Sequence, residues 1–535
     1  MTECFAGKWD HEADIVVVGF GGAGACAAIE AHDAGSSVVI LEKQPENRHY
    51  SNTRMSGGGY HSPDAAGDRD ALKAYAKAMF SGENLPWKFE GDQAEYSDGL
   101  AEIWAEYAPN NCAFMCSLDP DYKPYAGGGA AYPDFPGAKE SKYRSFESNY
   151  NKEVFTSKKD RSPNTPKEKK VSGEAFHACI LNGLKNRDIT IHYETGATKL
   201  LIDASGTIIG VKAGRSGKDV YYRANKAVIL TSGGYEYSKS LRSAFLDGPG
   251  VDGWAFYGSS ANTGDGIVMA LEVGAALSKA GTAAARLIAS FPDLLSENGV
   301  RIGVGISSAG RGHSVILDNF GNRFCNERDI TKNPTRYLSY RYALVFDVNQ
   351  YLYPRIPAWF VFDESLRTSK SVATSAISDF HGYPWSDDNH EAIERGWILR
   401  ADTLEKLGNS IKAHPDNHGH MDVGKFRRSI VRFNTFCAKG EDPDFHRDTD
   451  TLEPIEKPPF YAIALFPGGP NTNGGLKTNE KRQVIDWNSN VIPRLYAAGE
   501  IASVFKFVYQ SGGNLGECIV FGRVAGKNAA NEKRL

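Results

Sequence analysis

The chain is 535 residues long, 41% hydrophobic and 24% charged, and carries a net charge of −4. That length exceeds what one core supports, so two or more domains are expected. The charge gives no electrostatic footing for nucleic acid or an anionic membrane surface, and without an apolar run of about 18 residues no transmembrane helix is predicted.

The first residues, MTECFAGKWDHEAD, are acidic and lack an apolar segment. They do not read as a signal peptide, so a cytoplasmic location is expected. The eight cysteines are scattered. Only Cys112 and Cys116 are close, and their spacing is neither a zinc nor a redox motif. Buried thiols in a reducing compartment are expected, with no metal site.

Ile15 to Val18 is a short apolar run before a glycine cluster, as in a buried parallel strand. Gly19-Phe20-Gly21-Gly22-Ala23-Gly24 fits G-x-G-x-x-G. Small helix formers follow to Ala34, Gly35 stops the helix, and Val38 to Leu41 forms a second strand ending at Glu42 and Lys43. Strand, glycines, helix, strand and acid in that order are the dinucleotide fingerprint. The first glycine allows the tight turn, the second a close pyrophosphate, the third close helix packing. The helix N-terminus offers free N–H groups to phosphate. Glu42 stands where an adenosine ribose is bound.

A second small-residue loop, Ser51 to Gly59, contains Asn52, Thr53, Ser56, Gly57 and Gly58. A simple nicotinamide domain has no need of it so early. It suits a longer dinucleotide such as FAD. Residues 64–118 read as mostly helical. Residues 119–170 read as a surface excursion, a lid over the site, with a polar run from Ser157 to Lys170. A helix over 173–186 leads to strands near 189–193, 198–203 and 208–213. Ala227 to Thr231 is an apolar strand ending at Ser232-Gly233-Gly234. In an open α/β sheet such ends face the cofactor crevice. Gly264-Asp265-Gly266 opens a helix, and capping alone is a sufficient reason for Asp265.

Residues 276–440 have their own strands and turns and are expected to form a second domain. Ser314 to Leu317 with Asn319 to Phe324 reads as a hairpin, and Ala358 to Phe362 as a strand. From 441 the α/β pattern returns. Phe460 to Ile463 is a strand, Pro467 to Gly475 a glycine-rich loop, and Leu495 to Glu500 a strand and turn that includes Gly499. Tyr509-Gln510-Ser511-Gly512-Gly513-Asn514 then leads a final helix from Leu515. The expected fold is therefore α/β. A discontinuous Rossmann-type FAD-binding domain (1–275 and 441–535) surrounds an α+β capping, catalytic domain (276–440).

Taken together, VVVGFGGAGACAA, SNTRMSGGG, AVILTSGGY, NTGDGIVMALEVGA, LDNFGNRFCNE, KPPFYAI, LYAAGE and GRVAGKNAA resemble the flavoprotein superfamily of fumarate reductase and 3-ketosteroid dehydrogenases. The resemblance implies FAD, with the active site at the flavin between the two domains. The loops and the resemblance together nominate Gly19, Gly21, Gly22, Ala23, Gly24, Glu42, Lys43, Asn52, Thr53, Ser56, Gly57, Gly58, Ser232, Gly233, Gly264, Asp265, Gly499, Glu500, Asn514 and Leu515 as its contacts. Members that attach flavin covalently carry a histidine where this chain has Ser51, so non-covalent FAD is expected, although His49 is near.

Fumarate-type members hold a dicarboxylate with a histidine before a T-x-G-G loop and an arginine before the last G-G-N. Those positions here are Asn471 and Gln510, which carry no charge. The run from Pro467 to Leu476 instead fits the P-G-x-x-x-T-x-G-G-L of 1(2)-type ketosteroid dehydrogenases. Tyr509-Gln510-Ser511-Gly512 fits the Y-x-S-G of the 4(5α)-type. By that resemblance the Tyr509 hydroxyl and the Gly513 N–H would hold a substrate ketone oxygen, beside Ser511. Neutral donors rather than a cationic clamp are thus expected next to the flavin.

The implied reaction is dehydrogenation α,β to the carbonyl of a cyclic, 3-ketosteroid-like substrate, as in steroid metabolism. A base takes the α proton and the β hydride goes to flavin. The base would be a capping-domain tyrosine among Tyr337, Tyr340 and Tyr342, and a helper could come from Tyr122, Tyr125 or Tyr132. The chain has 25 tyrosines, and ordinary packing competes as a reason for each. An ene-reductase acting on conjugated enones, and a fumarate-type alkene carboxylate reductase, are the alternatives. The external electron partner is left open.

Overall fold

The computed structural model describes residues 5, 7–83, 93–148, 172–373, 381, 383 and 385–535. The polar run Ser157 to Lys170, with the rest of the expected lid beyond 148, lies outside them.

An eight-stranded sheet forms the base. Strand β1 (His11–Val18) pairs in parallel with β2 (Val38–Leu41) on one side and with Lys218–Leu230 on the other. Val491–Ala497 adds a further parallel strand beyond Leu230, and Thr190–His192 adds one beyond β2. The run Ile15 to Val18 is buried on both faces, as central parallel strands require. Register brings the carboxyl ends of these strands together: Val18 opposes Leu41 and Leu230, and Leu230 opposes Ala497. Their common end opens the crevice in which such sheets bind ligands.

Helix α1 (Gly22–Asp33) follows β1, and the C-terminal helix Gly513–Ala530 packs along it. The two approach closely because Gly526 has no side chain; a Cβ there would lie 2.2 Å from the Ala27 carbonyl oxygen. Helices Arg69–Ser81, Gln93–Tyr107 and Asn111–Leu118 fill the segment read as helical.

A second, seven-stranded and mostly antiparallel sheet covers the crevice. Its spine is a long antiparallel pair, Leu277–Leu295 against Phe460–Leu476. Ala358–Asp363 and Ser314–Leu317 extend it on one side, Arg301–Val304 and Ala255–Phe256 on the other. The sheet therefore draws strands from both sides of the expected 276–440 segment. Residues 467–475, read as a glycine-rich loop, are strand. Cβ atoms on Gly468 and Gly469 would lie 1.6 Å from the Ala255 oxygen and 2.0 Å from the Ala284 oxygen. The glycines are there so that three backbones can meet, and ladder pairing overrides their turn preference. Ser314–Leu317 pairs with Ala358–Asp363, and the expected hairpin is reduced to a Leu317–Arg323 bridge closed by the Asp318 N–H on the Asn322 oxygen at 2.8 Å.

The second sheet's flank holds a buried charge network. Glu327 accepts from Arg323 at 2.9 Å and from Arg447 at 3.3 Å, and Arg323 also reaches Asp442 at 2.9 Å. Burial alone would raise the Glu327 carboxyl, but Arg323 and Arg447 outweigh it and hold it below the usual range. A small three-stranded sheet of Tyr60–His61, Tyr125–Gly128 and Ser145–Glu147 lies over the N-terminal half. Among the described residues no helix is long and apolar enough to cross a membrane.

Candidate active site

The crevice between the two sheets contains a cavity of about 480 Å³. One end is built by backbone. Gly19 turns the chain out of β1 with φ +103°, and a Cβ on Gly24 would lie 2.1 Å from the Gly19 oxygen. Only glycine at 24 lets α1 start this close to the strand. Gly21, Gly22 and Ala23 line the cavity, and the Gly22 N–H is held by the Thr53 hydroxyl at 2.8 Å.

Glu42 also lines it. Its carboxylate accepts the Phe20 N–H at 2.9 Å and the Gln44 N–H at 2.8 Å, and His49 stands 3.5 Å away. Burial raises this group, but His49 and the two amides outweigh that and keep it ionised. Lys43 bridges Thr263 at 2.7 Å and Asp265 at 2.6 Å, joining β2 to the helix Asp265–Glu272 across the cavity rim. Asn52 ties three segments: its amide donates to Glu500 at 2.9 Å and Glu236 at 3.2 Å, and its oxygen accepts the Ser259 N–H at 2.6 Å. Burial, then the neighbouring Glu236 carboxylate, pushes Glu500 well up, and burial raises Glu236 too, which favours a proton held between them.

Ser56, Gly57, Gly58, Ser232, Gly233, Asn514 and Leu515 complete the lining. Ser232 Oγ and Asn514 Oδ1 are buried without a hydrogen-bond partner, and a Cβ on Gly57 would meet nothing within 4 Å. Open backbone, an ionised carboxylate and unpartnered polar atoms fit a long dinucleotide. Gly24, Gly264 and Gly499 are scaffold instead: they do not line the cavity. A Cβ on Gly264 would meet Leu241 at 2.2 Å, and one on Gly499 would meet Ala23 at 2.7 Å.

The other end is built by side chains. Tyr337 and Tyr509 meet edge to face, ring centres 4.8 Å apart, and both line the cavity with Ser511 and Gly512. Arg286, Arg336 and Tyr257 line it beside them. Arg286 is 4% exposed, and the Nε atoms of Arg286 and Arg336 have no partner. Arg286 comes from the strand Leu277–Leu295, where the register slips between Ala284 and Arg286. Such an irregularity re-aims a side chain. The Arg336 guanidinium stacks 5.0 Å above the Tyr337 ring.

The two phenols are driven apart. Burial raises Tyr337, but Arg336 and Arg286, with a hydrogen bond from Ser511, outweigh it and hold it below the ordinary phenol value. Burial, then the charge of Tyr337, pushes Tyr509 well above that value. An acid and a base sharing one site require such a separation.

Several expectations need correction here. The Gly513 N–H is already given to the Gln510 backbone carbonyl at 2.8 Å, and Gly513 does not line the cavity although Gly512 and Asn514 on either side of it do. Tyr340 is packed against Trp254, ring centres 5.6 Å apart, away from the cavity. Tyr342 is bonded to Asp329 at 2.8 Å. Tyr122 pairs with Ser148 at 2.7 Å, Tyr125 with Glu147 at 2.6 Å, and the Tyr132 hydroxyl donates to the Tyr509 backbone carbonyl at 2.8 Å. The neutral donor pair is replaced by phenols flanked by arginines. Gln510 turns away to Tyr75 at 2.5 Å and Gly129 at 3.1 Å, so the cations arrive from elsewhere. Sequence reasoning missed Arg286 and Arg336. The available signal was a lone arginine inside the apolar run Ala283-Ala284-Ala285-Arg286-Leu287-Ile288.

A sequence profile of the family described as FAD binding domain matches residues 14–515. A 3-oxosteroid 1-dehydrogenase of Mycolicibacterium smegmatis is 28% identical, over 97% of each chain. A fumarate reductase (cytochrome) of Shewanella frigidimarina is 27% identical over 97% of this chain and 77% of its own. Among solved structures, the 3-ketosteroid delta1-dehydrogenase from Sterolibacterium denitrificans, in complex with 1,4-androstadiene-3,17-dione, superposes with a TM-score of 0.74 at 21% identity, covering 97% of this chain and 99% of that one.

Proposed function

Because the chain belongs to the FAD-binding-domain family of flavoproteins and is an FAD-dependent oxidoreductase, we propose that it interconverts a CH–CH bond and a C=C bond conjugated to a carbonyl group, with Tyr337 moving the α proton. The observation that carries this reading is the Tyr337–Tyr509 pair, with Arg336 over the Tyr337 ring and Arg286 in the same cavity lining. When bound, FAD supplies the acceptor or donor of the β hydride.

The chain's own residues do the rest. Arg336 and Arg286 favour the ionised Tyr337, which takes a proton from carbon in one direction and returns it in the other. Tyr509 stays protonated and donates a hydrogen bond. Negative charge that develops on the carbonyl oxygen as the proton leaves is met by guanidinium. The cradle of Gly21, Gly22, Gly57 and Gly58, with Glu42 and Lys43 at its rim, is assigned to the dinucleotide. A cyclic, 3-ketosteroid-like ketone is the second substrate reading, supported by the 3-oxosteroid dehydrogenase relative and by the retained Tyr509.

Anaerobic titration of the yellow holoprotein with saturated and unsaturated ketones and carboxylates tests the reaction. Bleaching by a saturated compound, or reoxidation of the reduced protein by its unsaturated partner, is the expected result. Tyr337→Phe should slow either exchange by about 10²–10⁴-fold. Full turnover in that variant would remove Tyr337 from the mechanism.

A further inference from the structure

Glu236 follows the strand Lys218–Leu230 and Glu500 follows Val491–Ala497, and the parallel pairing of those strands brings the two side chains together. A Cβ on Gly234 would lie 2.1 Å from Glu500 Oε1 and 2.9 Å from Glu236 Oε2, so both carboxyl groups close on one point. Glu236 is fully buried, while Glu500 lines the cavity. Their hydrogen bonds come from neutral donors. The Asn52 amide reaches both, the Thr472 N–H reaches Glu236 at 3.1 Å, and the Thr472 hydroxyl and the Asn262 amide reach Glu500 at 3.3 and 3.4 Å. Arg242, on the neighbouring helix Lys239–Phe245, donates to the backbone carbonyls of Glu236, Val251 and Trp254, not to the carboxylate. The other titratable groups that face the pair are neutral: burial pushes the Tyr235 and Tyr237 phenols and the Cys518 thiol up. Two carboxylates this close do not both ionise without a cation between them. Glu236 Oε2, which has no other donor, is where one proton joins them.

We propose that this shared proton is part of the FAD seat: FAD is held while Glu236 and Glu500 share it and is released as it passes to solvent. The pair ties Asn52 of the small-residue loop to Thr472 of the second sheet, so it joins two walls of the crevice. A dinucleotide filling the cavity covers the open side of Glu500 and makes a second negative charge costly; in the empty crevice water reaches Glu500 and eases that charge. The pair therefore gives up its proton at a lower pH without FAD than with it. Affinity is fully present below the FAD-free titration point. Above it, binding takes up one proton, and affinity falls by about tenfold per pH unit until the FAD-bound pair titrates in turn. Glu42, also in the crevice, is held ionised and supplies no such proton. Glu236 is thus a positioning residue that acts through Glu500 and Asn52. The inference stands on the FAD assignment and is independent of the CH–CH reading.

The test needs no turnover. The holoprotein is held at a series of pH values from neutral to mildly alkaline, and released FAD is read by fluorescence after ultrafiltration. Wild-type affinity should fall with pH, by up to about tenfold per unit. Glu236→Gln puts an amide in place of the proton-bearing carboxyl, one that donates to Glu500 at any pH, so its FAD affinity should stay flat over the same range. Infrared difference spectra of the wild type should show the C=O stretch of one protonated carboxyl group vanishing as FAD leaves, and Glu236→Gln should lack that band. A flat wild-type affinity, or an equal slope in the variant, overturns the inference. If Glu236→Gln does not fold, the wild type decides alone: a carboxyl band that titrates together with FAD release supports the shared proton, and a band that is missing or persists after release overturns it.

Discussion

The two ends of the cavity are made of different material. The glycine end is largely backbone: glycines, amides and a helix start, most of them between Val18 and Gly59, with Ser232, Gly233, Asn514 and Leu515 added from elsewhere in the chain. The other end is side chain and charge: Arg286, Arg336, Tyr337 and Tyr509 arrive from three distant segments and meet only in the folded protein. A backbone site tolerates loss of many side chains but not gain of a Cβ. A charge site tolerates shape changes but not loss of one partner. The strands of both sheets are apolar and buried, but the second sheet also carries Glu327 and two arginines in its buried flank.

The contrast can be broken at four points beyond Tyr337. Glu327→Gln strands Arg447 and half of Arg323, and should cost about 3–5 kcal/mol in denaturant unfolding. The Glu327 carboxyl is held below its unfolded value of about 4.3, so its contribution is fully present above that pH and drains as the pH falls through the folded value. A Gln variant with unchanged stability would show that the upper core does not depend on charge. Gly24→Ala forces a Cβ onto the Gly19 oxygen and should cost about 1–3 kcal/mol, accompanied by loss of flavin on gel filtration. Full flavin retention would mean the turn can yield.

Smaller still is an effect of pH. In the proposed mechanism the ionised Tyr337 accepts the proton, so flavin reduction by a saturated substrate should rise with pH and level off below the ordinary phenol value of ~10. Arg336→Gln should move that inflection upward by about one unit. An inflection that does not move would assign the base to another group. Last, Lys43→Met removes a half-exposed ion pair and should change stability by less than about 1 kcal/mol, which a thermal melt can read.

What could be read in advance follows the same line. The β1–α1–β2 fingerprint is local, and Gly24 answers to Gly19 five residues away, so the strand, turn and helix there were legible in the sequence. The run 467–475 misled because its glycines answer to Ala255 and Ala284, which are far away in sequence. At the other end the absence of charge at Asn471 and Gln510 was legible, but its replacement was not. Arg286 announces itself only as a cation in an apolar strand, and its meeting with Tyr337 depends on a register slip that no local pattern encodes.

That slip has a mechanical side. Leu277–Leu295 and Phe460–Leu476 run as one ribbon from the outer layer of the upper sheet down to the flavin crevice, and Arg286 sits beside the irregular step in it. Any tilt of the upper layer is therefore a displacement of that guanidinium. The charge at that end of the cavity and the posture of the roof above it are a single lever with its fulcrum at the bulge.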